Sequence, residues 1–165
     1  MPFRALRPRP DEAEAISAPP YDVLSTEEAR VMASGNPLSF LRVSKPEIDL
    51  PQGTDPYASE VYEKGKGNLT QLQTEGVLVA EEMPSFYLYR QVMGDHSQIG
   101  LVALAECAQY ESGEIKKHEL TRPIKEDDRV RHMEALNSQT GLVFLTYRAV
   151  GAIDEFVAKR AEAKP

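Results

Sequence analysis

The sequence predicts a mixed α/β protein, and three observations carry that reading. A capping box, Ser25-Thr26-Glu27-Glu28, opens a helix. Two runs rich in β-branched and aromatic residues, Phe86–Met93 and Gln98–Tyr110, flank Gly94-Asp95-His96-Ser97 and read as a hairpin. A charged stretch from about Glu126 to Leu136, following Pro123, has the composition of a surface helix. The expected architecture is a mixed sheet with a central β-hairpin and about four helices, in one domain spanning residues 1–165.

Each element has a local reason. Phe3–Leu6 reads as a short strand, and Ala18-Pro19-Pro20-Tyr21-Asp22-Val23 as a rigid turn, because each proline fixes φ and removes a donor. The helix opened by Ser25 should stop by Gly35-Asn36-Pro37. Ser39–Val43 reads as a strand, and residues 45–56, with three prolines and Gly53, as a loop. Val61, Tyr62, Leu69 and Leu72 roughly share one face of a helix from about Ala58 to Glu75, which Gly65 and Gly67 should weaken by ~1 kcal/mol each. In the second hairpin strand both faces are apolar, as in an interior strand, and Cys107 reads as an inert core thiol there. Leu142–Tyr147 reads as a buried strand, and Ile153 to Ala163 as a last helix.

The bulk numbers bound the function. With 41% hydrophobic and 27% charged residues the balance is that of a globular chain. A net charge of −7 argues against broad attraction to nucleic acid or anionic membrane. A single cysteine permits no intrachain disulfide and no Cys-based zinc site, which points to a reducing compartment. No apolar run approaches the ~20 residues needed to cross a bilayer, and the first ten residues lack the apolar core of a secretory signal. The expectation is a cytoplasmic protein.

The strongest chemical candidate is Lys116 to His132. It holds six Lys or Arg and four acidic residues, a local balance of +2 against −9 for the rest of the chain. That contrast favours an anionic ligand, a phosphate or carboxylate, cradled between a basic loop and a helix start. In this reading Lys117, Thr121, Arg122, Lys125 and Arg129 bind the anion. His118 is a general acid or base, with Glu119, Glu126 and Asp128 as carboxylates that orient it or hold Mg²⁺. The plain alternative is a solvated face, since acidic residues in a first helical turn are ordinary dipole partners. No resident metal is assigned, because His118 and His132 match no HExxH spacing. Lys64-Gly65-Lys66-Gly67-Asn68 shares only composition with a phosphate loop, and His96 reads as a turn residue. Asn36, Ser39 and Arg42 read equally as polar groups at a strand mouth or as a cap and an exposed face.

Four motifs in order add a resemblance. They are Phe3-Arg4-Ala5-Leu6-Arg7-Pro8, Ala18-Pro19-Pro20-Tyr21-Asp22-Val23, Asn36-Pro37-Leu38-Ser39-Phe40-Leu41-Arg42-Val43 and Lys117-His118-Glu119-Leu120-Thr121-Arg122-Pro123. Together they resemble an uncharacterised bacterial and archaeal family, domain of unknown function one-thousand-fifteen. The resemblance implies the N-terminal part of a longer architecture. The later half of that architecture resembles the ParB and sulfiredoxin-like fold, some of whose members are nucleotide-dependent small-molecule kinases. The stretch that carries this likeness is not in the present sequence. The functional expectation is part of an enzyme that binds a phosphorylated metabolite or nucleotide, with a small-molecule phosphotransferase using ATP or ADP and Mg²⁺ as its most specific form. The alternatives are a non-catalytic interaction or scaffold domain, in which a homo-oligomer is compatible, and, with less support, nucleic-acid binding.

Overall fold

The computed structural model describes residues 1–118 and 120–162. It is a mixed α/β structure, as the sequence predicts. Its strands form two antiparallel pairs, and seven α-helices occur among the described residues. The chain divides into two compact units. A helical unit comprises Leu6–Val79 and Glu119–Leu142, and a hairpin unit comprises Met1–Ala5, Ala80–His118 and Val143–Pro165.

The helical unit begins with β1 (Leu6–Pro8), which pairs with β2 (Leu78–Ala80), and a single helical turn, α1 (Ala13–Ile16). Helix α2 (Thr26–Met32) starts where the capping box predicts. The Ser25 N–H donates to Glu28 Oε2 at 2.8 Å and the Glu28 N–H donates to Ser25 Oγ at 3.3 Å. The chain then turns at Asn36, whose amide donates to the Ala15 carbonyl at 2.7 Å and whose Oδ1 accepts from the Leu38 N–H at 3.0 Å.

The expected strand Ser39–Val43 is instead a turn leading into the short helix α3 (Leu41–Ser44). Burial explains the difference. On a strand, Leu41 and Val43 would point to the same side. Here they feed two separate clusters: Leu41 packs with Ala29, Ala33 and Ile48, while Val43 packs with Leu69, Leu72 and Leu136. Arg42 locks the turn by donating to the carbonyls of Asn36 (3.1 Å) and Ala33 (3.0 Å) and by pairing with Asp49. Such side-chain bonds to nearby backbone compete with a ladder. Asn36, Ser39 and Arg42 are thus turn-forming groups.

Helix α4 (Ser59–Thr74) buries Val61, Tyr62, Gly65, Leu69 and Leu72. Gly65 is a contact point. A Cβ there would lie 2.7 Å from Pro46 Cγ and 3.3 Å from the Val43 carbonyl oxygen, so only glycine lets the backbones approach this closely. Gly67 meets nothing within 4 Å. Helix α6 (Pro123–Leu136) lies along α4 and buries Asp128, His132 and Leu136, spaced four apart. It ends at Asn137 in the left-handed region (φ 48°).

In the hairpin unit, β3 (Tyr87–Met93) pairs with β4 (His96–Val102) in register, Tyr87 opposite Val102 and Met93 opposite His96. The two-residue loop starts at Gly94, whose φ of 59° fits the first central position of a type II′ turn. His96 therefore opens a strand. The N-terminal residues run beside the hairpin: Phe3 exchanges backbone bonds with Ser85, and Leu104 N–H donates to the Met1 carbonyl at 2.9 Å. The Tyr87 hydroxyl donates to the Phe3 carbonyl at 2.9 Å and accepts from the Ala5 N–H at 3.0 Å.

Four sequence expectations fail in the stretches after Val102 and around β4. The second strand ends at Val102 and not at Tyr110: residues 103–106 leave the ladder, with the Leu104 N–H on the Met1 carbonyl, and the chain then turns into a short helix, α5 (Cys107–Glu111). Cys107 is accordingly exposed and is no core thiol. Among the described residues β4 pairs only with β3, so it is not an interior strand. Residues 142–147 are neither a strand nor buried, and extend toward α7 (Gly151–Glu162). The expected last helix corresponds to α7, and its expected final residue, Ala163, lies outside the described residues.

Candidate functional site

The charged segment is divided between the units. Lys117 and His118 belong to the hairpin unit, and both are exposed. Lys117 Nζ sits 4.4 Å above the Tyr110 ring. Glu119 lies outside the described residues. Thr121, Arg122, Lys125, Glu126, Asp128 and Arg129 belong to the helical unit and gather around the first half of α6.

Pro123 fixes the start of α6. It occupies the first helical position, where a missing N–H costs nothing. The N–H groups of Lys125 and Glu126 both donate to the Arg122 carbonyl, at 2.9 and 3.1 Å. Pro123 has no donor, so the helix end has fewer amides to offer an anion than its charge pattern implies. Any anion must rely chiefly on side chains.

Arg122, Lys125 and Arg129 follow an i, i+3, i+7 spacing and so share one stripe of α6. Further along, the same stripe carries the buried His132 and Leu136. Lys125 Nζ lies 5.6 Å from the centre of the Tyr57 ring, and the Arg129 guanidinium 4.1 Å from that of Tyr21. Thr121, Arg122, Lys125 and Glu126 are exposed, and Arg129 is half-buried. Among the described residues Arg122 and Lys125 have no carboxylate partner within ion-pair distance.

Asp128 is a different kind of residue from the rest. It is 6% exposed, and both carboxylate oxygens are engaged. The Tyr62 hydroxyl donates to Oδ1 at 3.0 Å; Arg129 donates to Oδ2 through Nε (3.0 Å) and Nη2 (2.7 Å). Burial first, then the bond to Asp128 and its negative charge, push the Tyr62 phenol up to about 12. One turn on, His132 is 1% exposed and its Nε2 lies 2.8 Å from the Val43 carbonyl oxygen. That oxygen can only accept, so Nε2 carries the proton. Burial holds the His132 pKa below its ordinary value, partly offset by the bond to Val43. The ring is a neutral anchor between α6 and α3.

The segment thus brings together a cationic stripe on two tyrosine rings and, beneath it, a satisfied polar network of Tyr62, Asp128 and Arg129, with His132 bonded separately to the Val43 carbonyl. Tyr21, Tyr57 and Tyr62 were not foreseen as partners of this segment. The four-residue spacing of Asp128, His132 and Leu136 was the one signal that this charged helix has a buried face. Among the described residues no group of three or more His, Cys, Asp or Glu could hold a metal ion. Nor is any helix among them long and apolar enough to cross a membrane.

Neither a curated protein nor a solved structure matches the chain. A family model does match, across residues 1–165, and its description is a protein of unknown function (DUF1015). By that match the chain belongs to the DUF1015 family.

Proposed function

We propose that the first half of α6 is an anion-binding surface, and that the chain is the part of an enzyme that holds a phosphorylated metabolite or nucleotide. The observation that carries this reading is the stripe Arg122, Lys125 and Arg129, with Lys125 and Arg129 resting on tyrosine rings. Rings beneath cations limit the rotamers those side chains must give up on binding, which favours affinity. Arg122 and Lys125 are the primary contacts. Arg129 contributes Nη1, on the edge of its guanidinium not bonded to Asp128. Asp128 positions Arg129 and is too enclosed to meet a substrate itself. Thr121 and Glu126 flank the stripe, and Mg²⁺ held by the ligand's phosphates would find Glu126 nearby in sequence.

Isothermal titration of the full chain with ATP, ADP and pyrophosphate at low ionic strength tests this. Binding that an Arg122→Ala, Lys125→Ala double variant weakens by about tenfold or more is expected. No heat with any of the three would overturn it. One observation favours the non-catalytic reading instead: Asp127 pairs with Arg131 at 3.0 Å and Asp128 with Arg129 at 2.7 Å, so part of the charge of α6 is already neutralised.

A further inference from the structure

The three cations of the α6 stripe are held apart. Arg122, at the N-cap, Lys125 and Arg129 follow one another at about 4.5 and 6 Å along the helix axis, by the rise of an α-helix. Two of them are pinned by different segments of chain. The Lys125 ammonium lies over Tyr57, in the turn before α4, and the Arg129 guanidinium over Tyr21, which follows Pro19 and Pro20. Arg129 is gripped at an edge as well, since Nε and Nη2 both donate to Asp128 Oδ2. A single phosphate draws two such cations together only by lifting Lys125 or Arg129 off its ring, at a cost to affinity.

The surroundings limit the ligand from the other side. The helical unit holds eleven Lys or Arg against seventeen Asp or Glu, so beyond the stripe its field repels negative charge. Glu126 and Asp127 stand on α6 itself, and Asp22 follows Tyr21. An anion that outruns three cations gains repulsion with each further charge, and a nucleic-acid strand, whose affinity scales with the phosphates it neutralises, fares worst.

We propose that the ligand of this stripe is a short linear phosphoryl chain, a diphosphate or triphosphate, and neither a single phosphate nor a nucleic-acid strand. This rests on the reading of α6 as an anion-binding surface. Successive phosphoryl groups along the helix axis take Arg122, Lys125 and Nη1 of Arg129 in turn, each cation where the fold already holds it.

Isothermal titration of the full chain with orthophosphate, pyrophosphate, tripolyphosphate, citrate and a single-stranded oligonucleotide, all at one low ionic strength, tests it. Citrate matches pyrophosphate closely in charge but is compact and branched, so it separates spacing from charge. Pyrophosphate and tripolyphosphate are expected to bind at least about tenfold more tightly than orthophosphate or citrate. Lys125→Ala, which removes the middle cation, should weaken pyrophosphate by about tenfold or more. Arg131→Ala removes the same charge from the same helix, but Arg131 lies off the stripe and pairs with Asp127, so pyrophosphate affinity should stay within about twofold. Both side chains are exposed, and unchanged urea midpoints would show that both variants fold. Three results would each overturn this inference and leave the anion-binding reading standing: pyrophosphate no tighter than orthophosphate or citrate, equal losses in the two variants, or tighter binding of the oligonucleotide. Silence with every one of these anions would overturn both.

Discussion

Tyr62 and Asp128 stand 66 positions apart in sequence, and their side chains share a buried hydrogen bond of 3.0 Å that ties α4 to α6. Because the carboxylate also holds Arg129, the bond is one edge of a network and not an isolated pair. Tyr62→Phe should cost ~1–2 kcal/mol of unfolding free energy in urea titration, and Asp128→Ala more, since it strands both donors. The double variant should cost less than the sum of the two, the mark of direct coupling.

The same bond sets an alkaline limit. The Tyr62 pKa rises from 10.0 in the unfolded chain to about 12 in the folded one. A raised value means the stabilisation is fully present below pH 10 and is lost as pH climbs from 10 through 12. Urea midpoints across that range should fall for the parent chain and fall less for Tyr62→Phe.

His132 sets an acid limit of opposite sign. Its folded pKa lies below the ordinary 6.5, so the unfolded chain takes up a proton that the native state refuses. Stability is full above pH 6.5 and declines as pH falls below it, before most carboxylates begin to titrate. The urea midpoint of the parent chain should drop between pH 7 and pH 5 by more than that of His132→Gln, whose amide can still donate to the Val43 carbonyl. Equal slopes would count against the anchor role.

Gly65 and Gly67 sit two residues apart in one helix and should respond oppositely to alanine. Gly67→Ala fills open space and should stabilise by up to ~1 kcal/mol. Gly65→Ala drives a methyl to 2.7 Å from Pro46 Cγ and should destabilise by ~1–3 kcal/mol, despite the better helix propensity. Thermal melts of the two variants read the difference directly.

Cys107 opens α5 on the surface. The native chain should therefore react with an aromatic disulfide reagent at close to the rate of the urea-unfolded chain. A buried thiol would lag by orders of magnitude.

Elements with strong local chemistry were legible in the sequence. The Ser25 box and the Gly94 turn are decided within four residues, whereas α6, read from about Glu126, begins three residues earlier at Pro123. What was not legible depended on distant partners. Leu41 and Val43 look like strand residues until their two separate clusters are known. Gly65 looks like a defect until Pro46 is placed against it. Residues 98–110 alternate like a strand, but among the described residues no strand pairs with the chain after Leu104 to hold it extended. The charged segment was singled out correctly as unusual in composition. Its internal division was marked only by the four-residue spacing of Asp128, His132 and Leu136, which lacks the apolar residues that would normally announce a buried face.

Each unit is assembled from separated stretches of chain, two for the helical unit and three for the hairpin unit. The polypeptide therefore passes from one to the other four times. No single peptide-bond cleavage can release either one whole: a protease nick would leave fragments that still share a fold. Subcloning either unit as a continuous stretch would discard part of it, so engineering this protein calls for grafting and permutation in place of trimming.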